Sequence, residues 1–320
     1  MIEGLPLLAW PPFRQPLTAL IFHRVMLATD PLRPGEPTAE EFARFMGFLA
    51  RHFAVLPLRD AVARLQQGRL PKRACCITFD DGYADNLTVA LPILEQYGLP
   101  ATVFVTTGYL DGGRMFNDAV IDAIAWTERQ VLGLGEIGLG EHVLATVEDR
   151  RAAIGAILEQ LKYRPPEQRE ANVTRLIELT NCRPLPRDIM LGSEQVAELS
   201  RRGVEIGGHT VSHPILTSIA DNRARNEMAA GKERLEAITG KPVLTFAYPN
   251  GRPQRDYAAN HVTMVRELGF ELAVSTAPGV GNRNSDIFQL PRFRPWGNST
   301  TMLGARMMRN AWTGKAVAKC

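Results

Sequence analysis

The chain has 320 residues, 45% of them apolar and 22% charged, so a packed core of ordinary size is expected and a disordered or fibrous chain is excluded. Its 37 basic and 34 acidic side chains leave a formal charge of only +3, with both signs mixed along the chain, which argues against a nucleic-acid partner. No run of about 18 apolar residues is present, so no transmembrane helix is expected, and peripheral association with a membrane stays open.

In chain order, Met1 to Trp10 is apolar but lacks a basic flank and a small-residue cleavage site, and prolines interrupt it, so it does not read as a signal peptide. Thr18 to Val25 is β-rich and reads as a first strand. Thr38 with Glu41 three residues on predicts a capping box, followed by Phe42, Phe45, Met46 and Leu49 at helical spacing. A short strand at Phe53 to Leu56 and a helix from Arg59 to Gln67, closed by Gly68, come next. Ala74 to Phe79 is a strand that runs into the turn signal Asp80-Asp81-Gly82, then a helix to Tyr97 and a strand at Ala101 to Thr106.

The alternation pauses at Gly108. Residues 111–190 read as a largely helical insertion, broken by a glycine-rich stretch at 133–140, that covers one face of a single domain spanning 1–320. Alternation resumes with a helix from Ser193 (its expected cap) to Arg202 and strands or helices at 204–208, 220–239, 244–248, 255–268, 270–275 and 289–293. Strands separated by helices imply a parallel sheet, open or closed. Cys75 and Cys76 are neighbours on a predicted strand and point to opposite faces, so they read as buried thiols rather than metal ligands. With Cys182 and Cys320 they form no disulfide framework, which suits a reducing, cytoplasmic setting.

Two segments carry chemistry. In Thr78-Phe79-Asp80-Asp81-Gly82 a pair of carboxylates stands at a strand's C-terminal end, where α/β proteins build their sites. The pair reads either as ordinary turn chemistry or as repelling charges relieved by a cation. In Gly207-Gly208-His209-Thr210-Val211-Ser212-His213-Pro214 two of the chain's six histidines fall within five residues. Pro214 disfavours a helix there, so the histidines belong to a strand end and its loop. Two imidazoles and one carboxylate leave coordination positions open, as catalytic metal sites do, and the spare aspartate is then free to act as a base.

These segments, with Tyr248-Pro249-Asn250-Gly251, resemble the motifs of the polysaccharide deacetylase family, carbohydrate esterase family 4. The resemblance covers about residues 19–108 and 193–294 and implies a distorted (β/α) barrel of about seven strands. It implies hydrolysis of an N-acetyl amide on an amino sugar of a polysaccharide or glycan precursor, with Asp80 as general base and Asp81, His209 and His213 holding one divalent ion. Zinc leads, and cobalt, nickel or another divalent ion would also suit the donor set. The backbone N–H at Asn250 falls where the family stabilises the oxyanion.

Two features depart from the family pattern. The third motif's arginine is replaced by Ala247, so Arg292 or Arg294 is the candidate guanidinium for the base, with surface arginine as the alternative. The late histidine motif is missing, since no histidine follows His261. His23, at the end of the first strand, is the candidate general acid, against a purely structural histidine. Tyr83 and Trp296 are candidates for stacking on a sugar. A deacylase for another acyl group, such as formyl, and a non-hydrolytic carbohydrate binder are the rival readings.

Overall fold

Seven short parallel strands close into a ring, and the parity of their side chains decides what points into it. The structure is a computed structural model and describes residues 15–295, 299–313 and 320; the stretch from Met1 to Trp10 and Trp296 lie outside the described residues. The strands are β1 (Thr18–Phe22), β2 (Ala54–Val55), β3 (Ala74–Phe79), β4 (Thr102–Val105), β5 (Val131–Gly133), β6 (Glu141–Val143), β7 (Glu205–Gly208), β8 (Thr245–Ala247), β9 (Leu272–Pro278) and β10 (Leu290–Phe293). The ring runs β1-β3-β4-β7-β8-β9-β10 and closes where β10 pairs with β1. All its pairings are parallel. β2 pairs only with the start of β3 and stands outside the ring. This is the distorted (β/α) barrel of seven strands that the family resemblance implied, and it settles the parallel sheet read from the alternation as a closed one.

Helices α1 (Ala39–His52), α2 (Leu58–Gln66), α3 (Leu91–Gln96), α4 (Phe116–Trp126), α5 (Val147–Lys162), α6 (Pro166–Thr180), α7 (Ser193–Arg201), α8 (Asp221–Thr239), α9 (Ala259–Glu267) and α10 (Thr300–Thr313) complete the chain. The expected capping box starts α1: the Thr38 hydroxyl accepts from the Glu41 N–H, and the Glu41 carboxylate accepts from the Thr38 N–H. Gly240 ends α8 in the left-handed conformation. At α7 the expectation fails by one residue. Gly192 is the cap, its N–H donating to Gln195, while the Ser193 N–H and hydroxyl both donate to Asp111. The helix expected from residue 85 begins as a π-helical turn over Asn86–Ala90. α10 had no counterpart among the elements expected from the sequence.

The core has two layers. Alternate residues Cys75, Ile77 and Phe79 of β3 face outward, with Leu20 and Phe22 of β1, into the packing between barrel and helices. Ala74 and Cys76 face inward with Phe104, Ala247, Val274 and Leu290, and α2 closes that end through Leu58, Ala61, Val62 and Leu65. Cys75 and Cys76 thus sit in different layers, both buried and unpaired. Gly207 is inward-facing, and a Cβ there would come within 2.4 Å of the Phe104 ring; only glycine lets Phe104 fill the barrel.

Between β4 and β7, residues 111–190 form α4, the antiparallel hairpin β5–β6, α5 and α6. They enclose a hydrophobic cluster of their own, including Val120, Ile124, Leu144, Ile157 and Leu176. The glycine-rich stretch expected as a simple break in the helices is the hairpin and its turn.

Candidate active site

Strand parity delivers the site. On β3 the inward series Ala74, Cys76, Thr78 continues to Asp80; on β1 it reaches His23, and on β7, through Glu205 and Gly207, it reaches His209. These three leave the C-terminal ends of their strands at one mouth of the barrel. Asp81 follows an inward residue and would ordinarily point away. Its backbone is left-handed (φ 74°), as are those of His213 (φ 52°) and Asn250 (φ 58°). Three non-glycine residues in this sparsely populated region, all lining one cavity, mark a place where chain direction serves side-chain placement.

Asp81 Oδ1 lies 3.4 Å from His209 Nε2 and 3.4 Å from His213 Nε2. One ligand atom from each of the three falls within 4.8 Å of the others. Ligands at about 2.0–2.1 Å in a tetrahedral shell stand roughly 3.3 Å apart, so the donor set fits a divalent ion. His209 Nδ1 stands 2.7 Å from the Ala247 carbonyl, which leaves Nε2 facing the site. Burial works against charge on His209, but its hydrogen bond to Asp81 and the two nearby carboxylates outweigh it and raise its pKa. His213, buried with less compensation, is pulled down to about 3 and is a neutral donor at physiological pH. Burial alone would push Asp81 up; the histidines reverse this and hold it well below the usual carboxylate range.

Asp80 is held from the opposite side. Arg292 donates from one guanidinium nitrogen to Asp80 Oδ1 at 2.6 Å and from the other to Oδ2 at 2.6 Å. Two further Arg292 donors are occupied: Nε bonds the Ser275 carbonyl at 2.9 Å, and one terminal nitrogen bonds Thr78 Oγ1 at 3.1 Å. The arginine is 1% exposed and Asp80 2%, so the pair is desolvated. Burial pushes the Asp80 pKa up, but the charge of Arg292 prevails and lowers it. Arg294, the alternative candidate, turns away to Glu36 at 2.9 Å.

His23 lines the same cavity, half-buried, and its Nδ1 is buried without a hydrogen-bond partner. Its carbonyl accepts from Asn86 Nδ2 at 2.8 Å. Asn250 lines the cavity beside Thr276, whose hydroxyl donates to the Asn250 carbonyl. All seven candidate residues, from His23 to Arg292, meet in one cavity of ≈ 1220 Å³. Tyr83 borders that cavity, and its hydroxyl is committed to Asp118 at 2.8 Å. His52, His142 and His261 take no part in it.

Sequence reasoning missed the supports. Glu227 on α8 accepts from the Val211 and Ser212 N–H groups at 2.9 and 2.7 Å and from the Ser212 hydroxyl at 2.7 Å, which fixes the loop carrying His213. Thr78 and Ser275, which steer Arg292, look like ordinary strand residues. One wall of the cavity comes from residues 111–190, through Phe116 and Ile121 of α4 and Leu158 and Lys162 of α5.

The signature of the family described as "Polysaccharide deacetylase" matches residues 67–273. The chain belongs to that family. Over 291 residues it is 23% identical to Bacillus subtilis YxkH, which carries a polysaccharide-deacetylase assignment; the match covers 89% of this chain and 74% of that protein. Over 108 residues it is 29% identical to the poly-β-1,6-N-acetyl-D-glucosamine N-deacetylase of Staphylococcus epidermidis, covering 33% of this chain and 37% of that protein. Among solved structures, the Streptococcus pyogenes deacetylase PplD in complex with acetate superposes with a TM-score of 0.61 at 19% identity, covering 92% of this chain and 99% of that one. IcaB from Ammonifex degensii gives 0.59 at 18% identity, covering 91% and 97%. Likeness at these identities concerns the fold. The family signature takes in Asp80, Asp81, His209, His213 and Asn250 and leaves His23 and Arg292 outside it.

Proposed function

We propose that this polysaccharide deacetylase removes the N-acetyl group of an amino sugar with the help of one divalent ion held by Asp81, His209 and His213. The observation that carries the reading is the meeting of that triad with an arginine-clamped carboxylate in one cavity. A divalent ion bound there would polarise the amide carbonyl and acidify the attacking water, so that a base as weak as Asp80 suffices.

The chain's own groups supply the rest. Asp80, kept ionised and fixed in direction by Arg292, takes the proton of the attacking water. His23, which lines the cavity on the strand end beside Asp80, donates to the leaving nitrogen, a step amides need because the amide anion is a poor leaving group. The main-chain N–H at Asn250 meets the developing oxyanion; losing one such donor typically costs about 3 kcal/mol of transition-state stabilisation. Zinc is the first choice of ion, since imidazole suits it well. The poly-N-acetylglucosamine deacetylase among the relatives points to an N-acetylhexosamine glycan as the substrate class. Four unpaired cysteines, two of them buried, suit a cytoplasmic setting, and no helix among the described residues is long and apolar enough to cross a membrane.

The test is acetate release from N-acetylglucosamine oligomers by purified, metal-loaded protein. Asp80→Asn is expected to retain the ion and lose several orders of magnitude in kcat. His213→Ala is expected to lose metal by elemental analysis. Near-wild-type turnover in the first variant, or one ion per chain in the second, would remove those assignments. Formate rather than acetate as the better-released product would select the other acyl group.

A further inference from the structure

We propose that the side of the cavity formed by Lys162, Arg252 and Arg255 is a subsite for an oxyanion on the substrate, a phosphate carried on or beside the reacting amino sugar. The inference rests on the reading above that the cavity takes an N-acylated amino sugar.

Seven cationic side chains line the cavity. Four are matched by carboxylates: Arg24 by Asp85 at 2.7 Å, Arg33 by Asp122 at 2.6 Å, Arg292 by Asp80 at 2.6 Å and Arg294 by Glu36 at 2.9 Å. Lys162, Arg252 and Arg255 form no salt bridge among the described residues. They come from two directions. Lys162 ends α5, while Arg252 and Arg255 follow Asn250 on the loop after β8. The Tyr163 ring holds the two sides together, with the Arg255 guanidinium 4.9 Å and the Lys162 ammonium 5.7 Å from its centre.

The local acids neutralise this cluster only in part. Asp256 is buried, and one of its oxygens is taken by the Arg252 N–H at 3.0 Å. Its other oxygen is buried without a partner, and Glu159, also lining the cavity, is exposed, so two carboxylates stand against three cations. Burial lowers the Lys162 pKa; the attraction of Asp256 opposes it, and repulsion from Arg252 and Arg255 adds to the lowering. The C-terminal dipole of α5 accounts for a cation at Lys162 but not for two arginines on the facing loop. The cluster keeps an excess of positive charge and presents donors that no carboxylate takes up, which favours an incoming anion.

The reaction sharpens the choice. Each deacetylation leaves an amine that is protonated at neutral pH, so a neutral glycan becomes a polycation as it is processed. A cationic mouth repels such a product and suits a substrate whose anionic group offsets the new charge. Two guanidinium forks and an ammonium offer more donors than one carboxylate can use and suit the several oxygens of a phosphate.

The test compares kcat/KM for acetate release by the full-length, metal-loaded protein on three probes: the methyl glycoside of N-acetylglucosamine, N-acetylglucosamine 1-phosphate, and a disaccharide of N-acetylglucosamine with glucuronic acid. The phosphate probe is expected to exceed the neutral one by roughly tenfold, mainly through KM, and the ratio to fall toward one in Arg252→Gln/Arg255→Gln. A wild-type ratio near one, an unchanged ratio in the double variant, or an advantage confined to the uronate probe overturns the phosphate subsite. If no probe yields acetate, the proposed activity fails by itself. Calorimetric titration with N-acetylglucosamine 1-phosphate then decides the subsite: binding that weakens in the double variant supports it, and equal or absent binding overturns it. Lys162→Gln provides the same comparison should the double variant not fold.

Discussion

Arg292 allows Asp80 to stay charged where water is excluded. Replacing one partner of a buried pair leaves the other uncompensated, so Arg292→Gln is expected to cost about 3–5 kcal/mol of stability, read from denaturant unfolding. It also has a pH signature. Asp80 sits below its ordinary pKa because the arginine outweighs burial; without the arginine, burial wins and the pKa rises. The acidic limb of kcat/KM should therefore move to higher pH in Arg292→Gln and much less in Arg292→Lys, which keeps charge but loses the fork. A limb that stays in place would show that Asp80 is not the titrating base. Glu227 makes the corresponding case for the metal loop. Glu227→Ala removes the acceptor of two N–H groups and a hydroxyl, and metal affinity should fall by about 10–100-fold with the three ligands still present. Competition with a chelator reads this directly.

At the scale of elements, the site follows from strand parity and from the packing just below it. Phe22 and Phe79 precede His23 and Asp80 and point outward, where Phe42 of α1 meets both rings, at centroid distances of 5.3 and 5.8 Å. Phe42→Ala should cost about 3–5 kcal/mol and loosen both strand ends at once, so that Tm and kcat fall together. Gly207 is the inward counterpart. Gly207→Ala forces a shift of the Phe104 ring and is expected to destabilise by about 1–3 kcal/mol, partly relieved in Gly207→Ala/Phe104→Leu. Much of this was legible in the sequence. β3 matches the expected strand from Ala74 to Phe79, and the motif residues follow strand ends whose alternation is easily read. The choice between Arg292 and Arg294 was not legible. The two are two residues apart and share a parity; β10 ends at Phe293, so Arg294 leaves the inward series and meets Glu36. Glu227 was invisible for a different reason. Its partners are three groups of a loop about 15 residues earlier, a pairing fixed only when α8 folds back.

For the whole molecule, what matters is how residues 111–190 are fastened to the barrel. Their hydrophobic cluster is built mainly from their own residues; near the cavity a small apolar contact of Tyr83 with Met115 and Met190 is joined by ionic ties. Arg33, from the loop before α1, reaches Asp122 of α4 at 2.6 Å and Asp118 at 3.4 Å, while the Tyr83 hydroxyl, next to the Asp80–Asp81 turn, donates to Asp118. Burial outweighs these partners at Asp118 and raises its pKa. The sign follows from linkage. A carboxyl whose folded pKa is raised takes up protons more readily folded than unfolded, so its contribution favours folding at low pH and is lost as pH rises from the unfolded value, about 3.9, through the raised one. Asp80 has the opposite slope, since its contribution is lost as pH falls. Asp118→Asn keeps an acceptor for Tyr83 and removes a buried charge. Its stability relative to the wild type should therefore rise as pH climbs from about 3.9, with the two closest at the acid end. Arg33→Ala instead removes one of two counter-charges from each carboxylate, leaving Arg114 on Asp122 and Arg24 3.9 Å from Asp118, and should cost about 1–3 kcal/mol, with hydrogen exchange rising in α4 before it rises in the barrel strands. Uniform exchange across both would mean that the segment and the barrel unfold as one cooperative unit, and that this clasp does not govern how the cavity wall opens.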